Sequence, residues 1–194
     1  METLGPLAQA LATRAHRTLP TEGKRVAAVL LALVPRDAEW NVLLTKRTET
    51  VEHHKGQISF PGGMVDPGDA DVVATALRET DEEVGIPSAQ VRVLGRLDDF
   101  YTVATPFHVT PVVGTIEGPF VARPNPQETA EVILAPMREL LDPYRWRQED
   151  WKGIAVSFYD VAGVTVWGAT ARILDQFLGV WRDTSGELRI SKSK

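Results

Sequence analysis

The chain has 194 residues, of which 43% are hydrophobic, so it is long enough to bury one sizeable core. Its formal net charge of −5 argues against a broad nucleic-acid-binding surface, because such surfaces are usually basic. The absence of cysteine excludes disulfides, thiol nucleophiles and thiolate metal sites.

The first 22 residues predict an amphipathic helix. Leu4, Leu7 and Leu11 recur at helical spacing, and the helix is expected to end before Pro20. Residues 1–22 lack a basic start followed by an unbroken apolar run, so we do not expect a signal peptide. The apolar run at 26–34 is too short to span a membrane. A soluble, cytoplasmic protein is the expectation.

The rest of the chain mixes strands and helices. The continuous apolar run at 26–34 is typical of a strand covered on both faces. Further strands are predicted at 40–45, 91–97, 107–116 and 130–134, a short helix at 137–141, a hairpin at 155–159 and 164–167, and an amphipathic helix at 169–181. This order favours a three-layer α/β/α domain. We expect one domain over 23–181, with 1–22 as its N-terminal helix and 182–194 as a polar tail.

A glycine pair and a long acidic helix lie between residues 60 and 86. Gly62-Gly63 predicts a turn, and Gly85, followed by Pro87, predicts the end of the helix. Pro67 fits the first turn of a helix capped by Asp66, whereas Asp69 or Asp71 would cap a later start. We expect these three aspartates to be helix caps or solvated acids.

Three glutamates crowd the C-terminal end of this helix. Glu79, Glu82 and Glu83 form like-charge pairs, each costing about 0.2–0.5 kcal/mol in an isolated helix. They also lie near the negative end of the helix dipole. A solvated acidic face is the simple explanation, but a divalent cation would turn the repulsion into coordination by oxygen ligands. The clustering favours a metal.

The segment 78–86, RETDEEVGI, resembles the REUxEExGU core of the Nudix box, in which U is a bulky apolar residue. It departs at Thr80. The upstream half is one residue longer than usual, so Asp69 stands where a glutamate is expected. The resemblance implies an α/β, single-domain Nudix α/β/α sandwich with a mixed β-sheet. It also implies a hydrolase that cleaves pyrophosphate bonds with Mg²⁺ or Mn²⁺.

A second set of residues resembles the coenzyme A pyrophosphatase subfamily. The set comprises Leu43-Leu44-Thr45, Arg47, Gly56, Phe60-Pro61-Gly62-Gly63 and residues 167–174. His54 and Gln57 fit subfamily positions, whereas Thr48 and Glu52 depart, Glu52 replacing an arginine. The resemblance implies hydrolysis of coenzyme A to 3′,5′-ADP and 4′-phosphopantetheine.

The candidate site follows from both motifs. Glu79 and Glu83 are the expected metal ligands, and Glu82 is either a third ligand or the base that accepts a proton from water. We expect Arg78 to orient Glu82. Some members of the family place the base in a loop outside the box, and Glu128 and Glu131 are the candidates for that role. The expected substrate-binding residues are Arg47, Lys46, His54, Gln57, Phe60, Gly62 and Gly63.

Several of these residues have simpler explanations. Arg47 could pair with an acid of the box helix instead of substrate. His53 and His54 are more typical of exposed histidines than of metal ligands. Phe100, Tyr101 and Phe107 could stack on an adenine, but aromatics that flank a strand are more often core residues.

Two other functions stay open. One is a Nudix pyrophosphatase for ADP-ribose, NADH, a dinucleoside polyphosphate or a damaged nucleoside triphosphate. The other is a non-catalytic nucleotide-binding Nudix module, although such a module does not need all three box glutamates. Either way the expected partner is a small molecule, and neither nucleic acid nor membrane.

Overall fold

The computed structural model describes residues 3–48, 56–102 and 107–185. Four α-helices, eleven strands and two short 3₁₀-helices (Ser88–Gln90 and Pro143–Arg145) make up the regular structure of these residues. The helices are α1 (Gly5–Thr13), α2 (Val72–Val84), α3 (Met137–Leu140) and α4 (Gly168–Thr184). The strands are β1 (Arg25–Arg36), β2 (Glu39–Arg47), β3 (Ile58–Ser59), β4 (Gly62–Met64), β5 (Val91–Arg96), β6 (Phe100–Tyr101), β7 (Phe107–Ile116), β8 (Thr129–Pro136), β9 (Trp146–Trp151), β10 (Ile154–Val161) and β11 (Val164–Trp167).

The central sheet is mixed. Its main order is β3-β2-β1-β7-β5, with β8 also paired to β2, β4 to β1 and β6 to β7. β1 runs parallel to β7, and its other pairings, with β2 and β4, are antiparallel. A second, antiparallel sheet has the order β11-β10-β9.

β1 is buried on both faces, as the apolar run predicted. Ala27, Leu31 and Leu33 belong to a core cluster that also contains leucines of α1 and the apolar stripe of α4. The intervening residues, Ala28 and Leu30 among them, belong to a second cluster that includes Ala76 and Val84 of α2. Successive side chains of a strand point to opposite faces, so the sheet lies between two helical layers. The predicted α/β/α sandwich with a mixed sheet is confirmed.

The start of α2 differs from the preferred prediction. The helix begins at Val72, and the Asp71 carboxylate accepts a hydrogen bond from the Ala74 amide at 2.8 Å. Residues 66–69 instead form a turn in which the Asp69 amide donates to the Asp66 carbonyl. The Asp66 cap is therefore wrong, and the later start that Asp71 caps is correct. At the other end, Gly85 is left-handed, with a φ of 69°, as predicted.

Four strands were not predicted: the short strands β3, β4 and β6, and the six-residue strand β9. Gly62 and Gly63, which predicted a turn, lie in β4. β9 has the sequence WRQEDW, in which every residue is exposed and no apolar alternation occurs. It forms because Lys152 and Gly153, both with positive φ, turn the chain back into the partly buried strand β10. The final helix, α4, extends to Thr184, three residues beyond its predicted end.

The segment that follows α1 is hydrogen-bonded to the connection between β5 and β6. The Arg17 amide donates to the Asp98 carboxylate at 2.9 Å, and the Leu19 amide donates to the Asp99 carboxylate at 3.1 Å. Among the described residues, no helix combines the length and the apolar character that crossing a membrane requires.

Candidate active site

The glycine pair places α2, the helix that carries the Nudix-box glutamates, against β1. Gly62 and Gly63 pair with Val29 and Ala28 of β1 in the short strand β4. Gly62 has a φ of 154°, and a β-carbon there would lie 2.4 Å from the Ala28 carbonyl oxygen, so only glycine fits. A β-carbon at Gly63 would lie 2.4 Å from the Glu79 carboxylate. The backbone of β4 is therefore one wall of the glutamate cluster.

Arg78 holds three acids at once. Its Nε and Nη2 donate to the two carboxylate oxygens of Asp69 at 2.9 and 3.0 Å. Its Nη1 donates to Glu79 and to Glu82, both at 2.9 Å, and Nη2 also donates to the Met64 carbonyl at 3.1 Å. The predicted contact with Glu82 is present, but Arg78 orients Glu79 as well.

Asp69 is not a solvated acid. Its side chain is 6% exposed, and besides Arg78 it accepts hydrogen bonds from the Asp66 amide and the Thr75 hydroxyl. Hydrogen bonds from Arg78, and secondarily from the Asp66 backbone, hold the pKa of Asp69 well below its usual range. The expectation of a cap or solvated acid is thus wrong for Asp69, which anchors Arg78.

Glu83 is the buried acid of the site. It is 2% exposed, and burial, reinforced by the charges of Glu79 and Glu128, raises its pKa to about 7. Arg47 opposes this rise, with Nη1 3.5 Å from Glu83 Oε1, and the Gly62 amide donates to Oε2 at 3.4 Å. The alternative that Arg47 contacts an acid of the box helix is therefore observed.

Arg47 retains donor capacity despite this contact. Its Nε is buried, and no hydrogen-bond partner for it exists in the part of the chain that the structure describes. A buried guanidinium donor beside a carboxylate cluster suits an anionic group of a ligand.

A loop from residues 123 to 128 completes the cluster. The Arg123 and Asn125 amides donate to the carbonyls of Val84 and Glu83, at 2.8 and 2.9 Å, which caps the last turn of α2. The Asn125 side-chain amide donates to Glu128 Oε1 at 3.4 Å, and the Asn125 backbone carbonyl accepts from the Glu128 backbone amide. This loop therefore fixes the Glu128 carboxylate close to the box helix.

Glu79 is affected by the same crowding. Its pKa is raised, chiefly by burial, while Arg78 opposes the rise and the charges of Glu82 and Glu128 add to it. Glu131 lies instead on β8, opposite Lys46 of β2, and is exposed. Of the two candidates for the base, Glu128 is the one that lies in this loop, and its charge contributes to the raised pKa of both Glu79 and Glu83.

The donor set suits a hard divalent cation. No group of three acidic or histidine side chains among the described residues already has the arrangement of a metal site. Glu79, Glu83 and Glu128 are nevertheless carboxylates whose mutual repulsion a cation would relieve. We infer that Glu79 and Glu83 would hold such an ion, with Glu82 close by at the same helix end.

The predicted substrate-binding residues do not all lie at the glutamate cluster. Arg47, Gly62 and Gly63 border the glutamates, whereas Phe60 is 3% exposed and packs in the core cluster of α1 and α4. A ring contact between Phe60 and substrate is therefore not supported. Lys46 lies opposite Ile58 of β3 and Glu131 of β8, and the register of the β2–β8 pairing shifts between Lys46 and Arg47.

The remaining predicted residues lie beside the site or outside the described chain. Gln57 lies directly before β3, where its carbonyl accepts from the Arg47 amide at 3.0 Å. His54, with His53 and Glu52, falls outside the described residues. Phe100 is a core residue with 2% exposed, and Phe107 packs partly buried against the same core, so the simpler explanation holds for both. Tyr101 is half-buried outside that core, and its hydroxyl donates to the Pro20 carbonyl.

Sequence patterns missed Asn125 and the anchoring role of Asp69. Asn125 lies in a Pro-rich segment with no periodic signal, and only its closeness to Glu128 in sequence could have drawn attention to it.

The comparisons with known proteins agree on one family. The model of the NUDIX domain matches residues 23–155. A relative from Photorhabdus laumondii, described as the uncharacterized Nudix hydrolase NudL, is 38% identical over 160 residues, which cover 80% of this chain and 84% of the relative. A protein of the same description from Yersinia pestis is 38% identical over 156 residues, 77% of this chain and 76% of the relative.

Solved structures share the fold. The Nudix hydrolase RenU of M. smegmatis aligns with a TM-score of 0.58 at 18% identity, covering 87% of this chain and 91% of that chain. A MutT/nudix family protein of Enterococcus faecalis aligns with a TM-score of 0.56 at 15% identity, covering 93% of this chain and 70% of that chain.

Proposed function

The chain belongs to the Nudix hydrolase family, which acts on pyrophosphate bonds of nucleoside diphosphate derivatives, and from this premise we propose that it hydrolyses coenzyme A. The products would be 3′,5′-ADP and 4′-phosphopantetheine. The coenzyme A-type residues around Arg47 and Gly62-Gly63 support this substrate, because they border the glutamate cluster. Family members generally use a divalent cation, typically Mg²⁺.

The observation that carries the proposal is the convergence of Glu79, Glu83 and Glu128 beside the glycine pair. These acids come from a helix and a distant loop, and the charge of Glu128 raises the pKa of both box glutamates. Such crowding of like charges lowers the stability of the fold, so stability does not explain it. It is useful where a divalent cation binds, neutralises charge on the two phosphoryl groups and lowers the pKa of a water.

The protein's own groups divide the remaining work. Arg47, whose side chain is 28% exposed, would contact a phosphate oxygen through its guanidinium, which orients the substrate beside the cluster. Arg78 keeps Glu79 and Glu82 in place while Asp69 holds Arg78. Neither role requires Arg78 to touch the substrate.

Glu128 is our first candidate for the base. It would accept a proton from the attacking water as that oxygen bonds to one phosphorus and the P–O–P bond breaks, which leaves the bridging oxygen on the other product. Asn125 holds Glu128 at 3.4 Å, so the carboxylate does not depend on substrate for its position. Glu82, 55% exposed and paired with Arg78, is the second candidate.

The decisive experiment is an incubation of purified protein with coenzyme A and Mg²⁺, followed by identification of the products by mass. We expect 3′,5′-ADP and 4′-phosphopantetheine. The same assay on ADP-ribose, NADH and dinucleoside polyphosphates ranks the substrates by kcat/KM. A higher kcat/KM on any of these would replace coenzyme A as the substrate, and unchanged ligand throughout the panel would indicate a binding module.

Two pairs of variants connect turnover to the site. Glu83→Gln is expected to lower kcat roughly a hundredfold or more, because metal charge stabilisation is worth several kcal/mol. Asp81→Asn, an exposed change in the same helix, should leave it unchanged. Glu128→Gln should lower kcat, whereas Glu131→Gln on β8 should not. Full activity of Glu83→Gln would remove Glu83 from the site.

A further inference from the structure

The three-stranded sheet ends in an exposed edge. β9 pairs with β10 on one side, and nothing in the described ranges pairs with its other side. All six of its residues are exposed, including Trp146 at 37% and Trp151 at 58%. An open strand with exposed aromatic residues is a template for pairing with another strand.

The hairpin turn fixes which backbone groups face outward. Trp151 and Ile154 flank the two-residue turn at Lys152-Gly153, so they form the hydrogen-bonded pair that closes it. Hydrogen-bonded and non-hydrogen-bonded pairs alternate along an antiparallel ladder. The amides and carbonyls of Trp146, Gln148 and Asp150 therefore point away from β10, toward any added strand.

We propose that two copies of the chain associate through β9, in an antiparallel pairing centred on Gln148. In a symmetric antiparallel pairing, the two copies are related by a two-fold axis perpendicular to the sheet. This axis keeps each side chain on the face of the sheet that it already occupies, so at the centre one residue must lie opposite its own copy. Only a residue with outward amide and carbonyl groups can exchange both hydrogen bonds with its copy. Trp146, Gln148 and Asp150 are centres of this kind. Arg147 and Glu149, whose backbone groups face β10, can also be the centre, because their outward-facing neighbours then form the hydrogen bonds.

Charge selects among these five centres, because a pairing centred on Arg147 or Glu149 places that residue opposite the same charge of its copy. A pairing centred on Asp150 places that carboxylate opposite itself, and one centred on Trp146 places Arg145 opposite Arg147 of the second copy. The pairing centred on Gln148 places Arg147 opposite Glu149 of the second copy, twice by symmetry. Opposite charges stabilise a cross-strand pair, and like charges destabilise it.

The neighbouring side chains suit the same arrangement. Arg147 already contacts Glu149 at 3.0 Å and also pairs with Asp160 within one chain, so in the dimer each arginine would lie among carboxylates of both copies. Arg145 would lie opposite Trp151 of the second copy, where an exposed indole can accept a cation over its face. A six-residue edge buries little area, so we expect a weak dimer whose population depends on concentration.

A charge-exchange series tests this pairing by sedimentation velocity over a range of protein concentrations. For the wild type, we expect the weight-average sedimentation coefficient to rise from the monomer value toward that of a dimer. Arg147→Glu and Glu149→Arg should each abolish the rise, because each places like charges opposite each other. The double variant should restore it. A wild type that stays monomeric, single variants that still dimerise, or a double variant that does not recover would overturn the proposal.

Single cysteines test the register independently, because the natural chain contains none. In Gln148→Cys the two sulfurs would face each other across the axis, with α-carbons about 5.5 Å apart, and mild oxidation should give a covalent dimer. Asp150→Cys is the matched control, because its carboxylate forms no ion pair with the second copy in this register and its two α-carbons would be more than about 7 Å apart, too far for a disulfide. Equal cross-linking of both variants, or of neither, would overturn the Gln148-centred register. Circular dichroism and unfolding curves establish that each variant is folded.

Discussion

The Glu79 carboxylate lies so close to Gly63 that a β-carbon at position 63 would be 2.4 Å from it. Gly63→Ala should therefore displace Glu79 while Gly62 keeps its required conformation. A misplacement of about 1 Å can lower a rate roughly a hundredfold, and we expect a loss of kcat of that order. Steady-state kinetics on coenzyme A with Mg²⁺ measure it.

Gly68→Ala is the matched control, since it lies in the same connection and a β-carbon there would meet nothing within 4 Å. It should keep its activity. An active Gly63→Ala variant would mean that the exact position of Glu79 is unimportant for turnover.

The buried Glu83 carboxyl predicts a pH-dependent stability of the metal-free protein. Its pKa rises from 4.5 to about 7 on folding, chiefly through burial, so between these values the folded state binds more protons than the unfolded state. The free energy of unfolding should consequently fall as pH increases from 4.5 through 7. The contribution is at most about 3 kcal/mol, at 1.36 kcal/mol per pKa unit.

Urea unfolding of the wild type and of Glu83→Gln at pH 5 and at pH 8, both without metal, measures this contribution. The variant lacks the titrating group, so its stability relative to the wild type should improve as pH rises. A stability difference that is the same at both pH values would contradict the raised pKa.

Asn125 is predicted to be a positioning residue for Glu128. Asn125→Ala removes the side-chain donor 3.4 Å from the Glu128 carboxylate and the acceptor of the Gln127 amide. We expect kcat to fall about tenfold with little change in KM, together with a shifted acid limb of the pH–rate profile. The measurement is that profile on coenzyme A.

Gln127→Ala, an exposed change in the same loop, provides the comparison and should leave the profile unchanged. If Asn125→Ala lowers stability but keeps the wild-type pH profile, its role is structural and Glu128 does not depend on it.

Arg47 is predicted to bind a phosphate group. Arg47→Lys keeps the charge but loses the planar fork and the buried Nε donor, so we expect KM for coenzyme A to rise about tenfold with a smaller effect on kcat. Arg92→Lys is the matched control, because Arg92 also pairs with a glutamate, Glu117, but lies on β5. A decrease in kcat alone would assign Arg47 to the support of Glu83 instead of substrate.

Much of the fold was predictable because its signals are local. The apolar run of β1 and the terminating Gly85 each depend on a few consecutive residues whose chemistry has one common outcome. Strand β9 carries no such signal, because all six of its side chains are solvent-exposed. Its existence depends on the turn at Lys152-Gly153 and on the partner strand, which a polar hexapeptide does not reveal.

The candidate site was predictable in its charges but less so in its contacts. The spacing of Glu79 and Glu83 on one helix follows from helical geometry. The bond between Asp69 and Arg78 depends on a turn at 66–69 that competes with an earlier helix start, and local propensity did not decide between them. Asn125 reaches α2 only through tertiary folding, so no local pattern contains it.

The closing hydrogen bonds of α2 have a consequence for the order in which the protein becomes functional. The carbonyls of Glu83 and Val84 receive amides from Asn125 and Arg123, about forty residues further along the chain. A nascent chain that has left the ribosome only as far as β7 would contain the whole glutamate motif with its last turn uncapped. Competence for turnover should therefore arise late in synthesis, after the segment that carries Glu128 has emerged.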